Sequence, residues 1–403
     1  MQYVILRAMK SMLYILNLRL PTEKAHGLQI TQNCEAFAKQ GIKVTLVASW
    51  RYQTPEYKRV KDIYEYYGVK PIFNIRYLPS LDLLFITTHK RLINIILHIQ
   101  QASFLISAFV YLLFTKHSII YTRDHFLAII AKLTNPMTQI VYEVHQKRKG
   151  RFGVFIQSLA IRLASLTVPI TSHLKRSLRD EVQQDGIFFI AHDGVRAERF
   201  SNLPDKKTAR KQLGLMEDAF IVTYTGRLYT LNMDKGVTTQ VLATATIPGV
   251  QAMIVGGPDG AANKLKNKWV ESGRKDSEFH AIGQVNPDQV PMYLVASDIL
   301  CVPFPWNEHF AYYASPMKIF EYMASARPIV ASNLPSIAEV LRHDNNAILV
   351  EPSNQKALTE AIIKLRENPA LGEKLARKAN RDLFKKYTWD KRASSIIKAL
   401  GID

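Results

Sequence analysis

Short apolar runs recur along this chain, separated by stretches whose apolar residues fall at helical spacing. The first series occupies 12–18 (MLYILNL), 43–48 (KVTLVA), 118–121 (SIIY), 139–144 (QIVYEV) and 166–171 (LTVPIT). A second follows at 187–191, 219–225 (AFIVTYT), 252–257 (AMIVGG), 298–302 (DILCV) and 328–332 (PIVAS). Helical periodicity between the runs is clearest at 30–40. Runs that are short, apolar and rich in β-branched residues suit strands covered on both faces, so each series predicts a parallel sheet flanked by helices. The expected fold class is α/β, with two Rossmann-like units, residues 1–185 and 186–387. Such a pair places a ligand in the cleft between the units, beyond the carboxyl ends of the strands.

Residues 92–114 (LINIILHIQQASFLISAFVYLLF) are long enough to cross a bilayer. Yet His98, Gln100, Gln101 and Ser103 interrupt the run, and it lies between two strands of one sheet. The pattern predicts a helix that is buried or faces a membrane, not one that crosses it.

With 403 residues, 47% of them hydrophobic and 22% charged, the chain has the bulk composition of an ordinary soluble protein. Its net charge of +19 is what departs from the ordinary. Residues 1–185 hold 25 Lys and Arg against 11 Asp and Glu, whereas the remainder holds 28 against 23. A basic half on a balanced chain implies an acidic partner for that half: nucleic acid, anionic lipid or a phosphorylated substrate. Cys34 and Cys301 sit inside apolar segments, which fits a reducing cytosol and gives no disulfide framework or zinc spacing. The opening MQYVILRAMK lacks the apolar core of a signal peptide, so residues 1–8 are expected to be a short extension.

Chemistry concentrates in residues 309–341. Ser315 before Pro316 reads as an N-cap hydroxyl followed by a proline at the first helical position, predicting a helix over 316–326 that stops before the Pro328 strand. A helix N-terminus presents unpaired N–H groups to a phosphate, with Lys318 in its first turn. Glu321, one turn on, could accept from the two hydroxyls of a ribose. The plainer alternative is a buried α/β helix with a solvated Glu and Lys. Gly27 stands at a strand-to-helix turn, where a missing side chain lets backbone approach a ligand or simply eases the turn. Arg227, just past a strand, and Lys235 suit a pyrophosphate, although two surface cations would look the same. Glu143 and His145 lie at period two, so both leave their strand on one face. Lys147, Arg148, Lys149 and Arg151 follow as a basic run, commonly a solvated loop.

The stretch SPxKxxEYMAxxxPIVAS resembles the signature of family GT4, the retaining GT-B glycosyltransferases. The resemblance continues through PTEKAHG (21–27), YEVHQ (142–146), HDGVRAERF (192–200), GRLYTLNMDKG (226–236) and FHAIGQV (279–285), in the family's order. It implies a GT-B fold, two Rossmann-like domains facing a cleft, with a C-terminal helix over 388–403 returning to the first domain. It implies that Glu321 holds the nucleotide ribose and that Gly226, Arg227 and Lys235 meet the diphosphate. Gly27, Ser315, Pro316, Met317, Lys318 and Ile319 would complete the donor surface, with Ile282 and Val285 near the base. His145 would contact donor sugar and phosphate, and His26, Arg123, Lys147 and Arg148 would lie on the acceptor side. Two positions depart from the family: Tyr313 replaces its usual first glutamate, and Ala326 its usual glycine.

No D-x-D, Walker A, GxSxG or HExxH occurs. The expectation is therefore an enzyme needing no metal or other cofactor, in which cations and a helix end neutralise the leaving group. It would move a sugar, with retention, from a nucleotide-diphosphate donor such as a UDP-sugar to a lipid-linked or growing glycan acceptor. Such polysaccharide synthesis would be cytoplasmic, with peripheral contact on an anionic membrane. A sugar-nucleotide epimerase or hydrolase on the same fold, or a basic nucleic-acid-binding protein, are the alternatives.

Overall fold

A computed structural model describes residues 10–22, 24–86, 89–182, 187–230 and 233–402. The chain divides into two compact units, one running up to Ala191 and resuming at Trp389, the other spanning His192–Thr388. The boundary expected at 185 and the extension expected at 1–8 lie outside the described residues.

The first unit is built on a parallel sheet of β1 (Ser11–Ile15), β2 (Lys43–Ser49), β3 (Asn74–Leu78), β4 (Ile119–Thr122), β5 (Gln139–Val144) and β6 (Leu166–Pro169). Its order is β3-β2-β1-β4-β5-β6. The second unit repeats the plan. Its strands are β7 (Phe220–Thr225), β10 (Val250–Val255), β11 (Phe279–Gly283), β12 (Ile299–Val302), β13 (Ile329–Ser332) and β14 (Ile348–Val350). They run in the order β11-β10-β7-β12-β13-β14, while a hairpin of β8 (Tyr229–Thr230) and β9 (Met233–Asp234) stands apart. Both sheets reverse direction of growth beside their first strand, at β1/β4 and β7/β12. The carboxyl ends of strands at such a reversal form a natural crevice within each unit.

Several elements differ from the sequence pattern, and β11 and β14, like β3, fall outside the expected runs. β3, mostly exposed NIRYL, is an edge strand with Leu78 its one buried residue, which leaves too weak a signal to find. The run at 187–191 does not begin the second unit: it lines β6, where Thr167 N–H donates to Ile187 O at 2.9 Å. The helix expected over 30–40 starts earlier, at Ala25, and ends at Lys39.

The long apolar helix, Lys90–Leu113, is docked on the first unit by a stripe of every fourth residue. Ile96, Gln100, Phe104, Ala108 and Leu112 are buried, and Gln100 exchanges two hydrogen bonds with Asn17, at 3.0 and 2.9 Å. Ile95, Ile99, Ile106, Phe109 and Val110 on its other faces are exposed. Only 28% of its most apolar window is buried, so most of its apolar side faces outward.

Trp389–Ala399 forms the last helix and packs on Ala25–Lys39. Trp389 Nε1 donates to Gln32 Oε1 at 2.6 Å, and Arg392 Nη1 to Asn33 Oδ1 at 3.2 Å.

Candidate active site

In the second unit, the crevice at β7/β12 gathers cations. β7 ends at Thr225, whose N–H donates to the buried Tyr322 hydroxyl at 2.8 Å. Gly226 follows at φ 107°, a backbone shape side chains resist. Lys318 approaches from below, so that a Cβ on Gly226 would lie 3.4 Å from its Nζ. That Nζ is buried 3.5 Å from the Tyr224 ring centroid and has no hydrogen-bond partner among the described residues.

A buried ammonium without an anion is costly, and the local titration behaviour reflects this. Burial first, then Lys235, hold the Lys318 amine well below the usual lysine range, against the pull of Glu321. Burial and Arg227 bring Lys235 down to about 8. His309, in the turn His309–Tyr313, is lowered by burial and by Lys235. Four basic groups therefore share one crevice, and among the described residues no carboxylate bonds the innermost of them. An anion of two linked groups is the ligand such a crevice would hold most tightly.

The helix beside it spans Met317–Ala324 rather than 316–326. Its N-cap is Pro316, and no side chain caps it. Ser315 is one residue too early to reach the first-turn N–H groups; its Oγ accepts from Asp193 N–H at 2.9 Å instead. That corrects the expected serine cap. Met317 opens the helix half-buried. Ile319 is 1% exposed in the core and its N–H donates to Pro316 O at 3.0 Å, so its side chain and N–H are both taken, against the donor contact expected of it. Past the helix, Ala326 takes φ 53°, the left-handed shape for which glycine is suited.

Glu321 projects from this helix and is held at one oxygen, where Arg199 Nη1 donates to Oε1 at 3.0 Å. Arg199 also bonds the Pro287 carbonyl and lies 3.3 Å from Asp288. One arginine thus ties the expected ribose residue to the loop following Ile282 and Val285, which are half-buried near the end of edge strand β11. Tyr313, in the position of the missing glutamate, donates its hydroxyl to Glu308 at 3.3 Å.

In the first unit the corresponding crevice holds a compensated cluster. Glu143 is fully buried on β5. One oxygen meets Arg123 Nη2 at 2.8 Å and His145 Nε2 at 2.6 Å; the other accepts from Arg392 Nη2 at 2.8 Å and from the Tyr121 hydroxyl. Burial alone would raise its pKa, but Arg123 and Arg392 hold it well below the carboxylate range. Arg123 also donates to Gln29 at 2.8 Å. These bonds make Arg123 part of the Glu143 network.

Gly27 lies in the first turn of Ala25–Lys39, where a Cβ would strike the Tyr67 hydroxyl and the Thr22 methyl. Its bareness serves this packing: Tyr67 both accepts from Thr22 N–H, at 2.8 Å, and donates to Thr22 O, at 3.0 Å. His26 is half-buried beside it. Lys147 Nζ pairs with Glu181 at 3.5 Å, while Arg148 is exposed with its N–H on Gln157 at 2.8 Å.

Arg199, His309 and Arg392 were not singled out from sequence. Arg199 stood within HDGVRAERF, and Arg392 in the last helix, with no local feature marking either. Periodicity did bring Glu143 and His145 together.

Residues 205–382 match the family profile "Glycosyl transferases group 1". The chain is similar to an uncharacterized glycosyltransferase of Methanocaldococcus jannaschii, 22% identical over 71% of this chain and 76% of that one. It is also similar to the lipopolysaccharide 1,2-N-acetylglucosaminetransferase of Salmonella typhimurium, 25% identical over 64% of this chain and 65% of that one, just under two thirds of its length. Among solved structures, HepE of Anabaena in complex with UDP superposes with a TM-score of 0.71 at 16% identity, covering 98% and 100% of the two chains.

Proposed function

We propose that this chain, of GT-B fold and with residues 205–382 matching the group 1 glycosyl transferase profile, is a glycosyltransferase that moves a sugar from a nucleoside diphosphate, UDP foremost, to a hydroxyl of an acceptor carried on a lipid-linked phosphate or pyrophosphate. The observation that carries the donor reading is the buried, unpartnered Lys318 Nζ beside Lys235. Diphosphate charge would replace the water those amines have lost, while Glu321, steadied by Arg199, accepts from the ribose hydroxyls. The acceptor hydroxyl attacks the anomeric carbon on the face the diphosphate leaves. As the carbon–oxygen bond breaks, its electron pair goes to the departing phosphate oxygen, which then takes the acceptor's proton. Arg227, Lys235 and Lys318 supply the positive charge for that departure, and activity is expected to survive EDTA.

The acceptor reading rests on the first unit. It carries the basic excess, the outward apolar side of Lys90–Leu113, exposed Phe152 and Phe155 and the exposed Arg148. Apolar side chains among cations suit the surface of an anionic bilayer, at about 1 kcal/mol per well-placed Lys or Arg. The Salmonella relative, whose name places it on lipopolysaccharide, agrees with this choice. Titration calorimetry with UDP and GDP tests the donor: Arg227→Ala should weaken UDP by about 1.5–3 kcal/mol, and unchanged binding would refute the site. Co-sedimentation with anionic liposomes tests the surface; no binding at low salt leaves the acceptor reading without support.

A further inference from the structure

Arg392 lies on the last helix of the chain, yet it is 4% exposed and reaches the centre of the first unit's charged cluster. Its Nη2 bonds Glu143 Oε2 at 2.8 Å and the Ala191 carbonyl at 3.4 Å, and its Nη1 bonds Asn33 at 3.2 Å. Glu143 is thereby gripped between two guanidiniums, with the Tyr121 hydroxyl donating to it as well. A carboxylate so surrounded carries no proton of its own. Its contact with His145 Nε2, at 2.6 Å, must then be made with a proton that the imidazole supplies. Nδ1 is left as the second ring nitrogen, on a side chain 31% exposed.

We propose that Arg392 is a positioning residue for His145: through Glu143 it fixes which ring nitrogen carries the proton and where the ring points. The proposal rests on the reading that His145 lies at the reacting sugar, the place that the resemblance to the glycosyltransferase family implies for it. It makes the last helix part of the working site rather than a strap. Arg392 stands 249 residues from Glu143 in the chain, and packing alone could be served by any long apolar side chain. Only a cation keeps the carboxylate free of a proton. Without it, Glu143 would be left with Arg123 as its single guanidinium partner in a buried site, and burial favours the neutral acid. A protonated Glu143 would donate to Nε2, and the imidazole proton would move to Nδ1.

The test is nitrogen-15 NMR of selectively labelled histidine, read in the full-length protein beside donor turnover. In the wild type, the neutral imidazole of His145 should show a protonated Nε2 and a bare Nδ1. A wild-type spectrum with the proton on Nδ1 overturns the proposal without any variant. In Arg392→Met the Nδ1–H form should appear and kcat should fall at least tenfold with donor KM little changed; Arg392→Lys should restore both. A folded Arg392→Met protein that keeps Nε2–H and the wild-type pH profile overturns it. His145→Ala separates the two layers: full turnover in that variant removes the role of His145 in catalysis, while the tautomer in Arg392→Met still decides what Arg392 does.

Discussion

The two crevices treat buried charge in opposite ways. In the first unit, Glu143 is surrounded by Arg123, Arg392, His145 and Tyr121, so charge meets countercharge at hydrogen-bond distance. In the second, Lys318 faces Lys235, and its Nζ meets aromatic rings instead of a carboxylate. A compensated cluster needs no ligand to balance its charge and holds its own members in place, whereas an uncompensated one stores a cost that only a ligand can relieve. Basic residues look alike in sequence, and the structure separates those spent internally from those held for a ligand.

The sharpest way to break this contrast is to remove the hub. Glu143→Ala leaves two guanidiniums without their carboxylate and should destabilise the first unit by about 3–5 kcal/mol, read by urea unfolding. A loss below about 1 kcal/mol would mean the cluster is solvated, and the contrast would collapse.

Lys318→Met should act with the opposite sign on stability. It removes an amine buried without a partner, so the folded protein should gain stability while UDP binding weakens by about 1.5–3 kcal/mol. Unfolding and calorimetry on the same sample check both; lost stability with unchanged binding would make Lys318 a scaffold residue after all.

Proton linkage gives a third contrast. Lys235 titrates at about 8 in the folded chain, below its ordinary value. Between those two values the unfolded chain binds more protons, so this lysine's contribution to stability rises with pH there; its cost is fully present below about 8. Diphosphate prefers the protonated amine, so UDP affinity should fall as pH climbs from 7.5 to 9.5, by no more than about tenfold per unit for each proton. Proton uptake on binding, measured in buffers of different ionisation enthalpy, checks it. Flat affinity across that range would show the lysines already paired.

The smallest effect is a control outside both clusters. Ala326 holds φ 53°, so Ala326→Gly should stabilise by about 0.5–1 kcal/mol with nucleotide binding unchanged. A change in binding would tie the helix's end to its beginning.

The alternation of apolar runs and helical stretches was enough to fix the α/β class, the two sheets and most of the strands, since buried parallel strands need apolar side chains on both faces. Sequence also placed Gly226, Arg227, Lys235, Lys318 and Glu321 near one another, because each follows or faces the end of a strand at the sheet's reversal. It could not tell that Lys318 Nζ is dry, that Ser315 does not cap its helix, or that Arg123 joins the Glu143 cluster. The Ala25–Lys39 helix shows why. Its buried face carries Gln29, Gln32, Asn33 and Glu35, which no apolar pattern would put inside. Arg123 meets the first, Trp389 the second, Arg392 the third and Lys70 N–H the fourth, from 94, 357, 359 and 35 residues away. Periodicity is a local property and survives in the sequence. Whether a polar group is satisfied, or a charge compensated, depends on neighbours that only the folded chain brings within about 3 Å, and that was decided by tertiary structure alone.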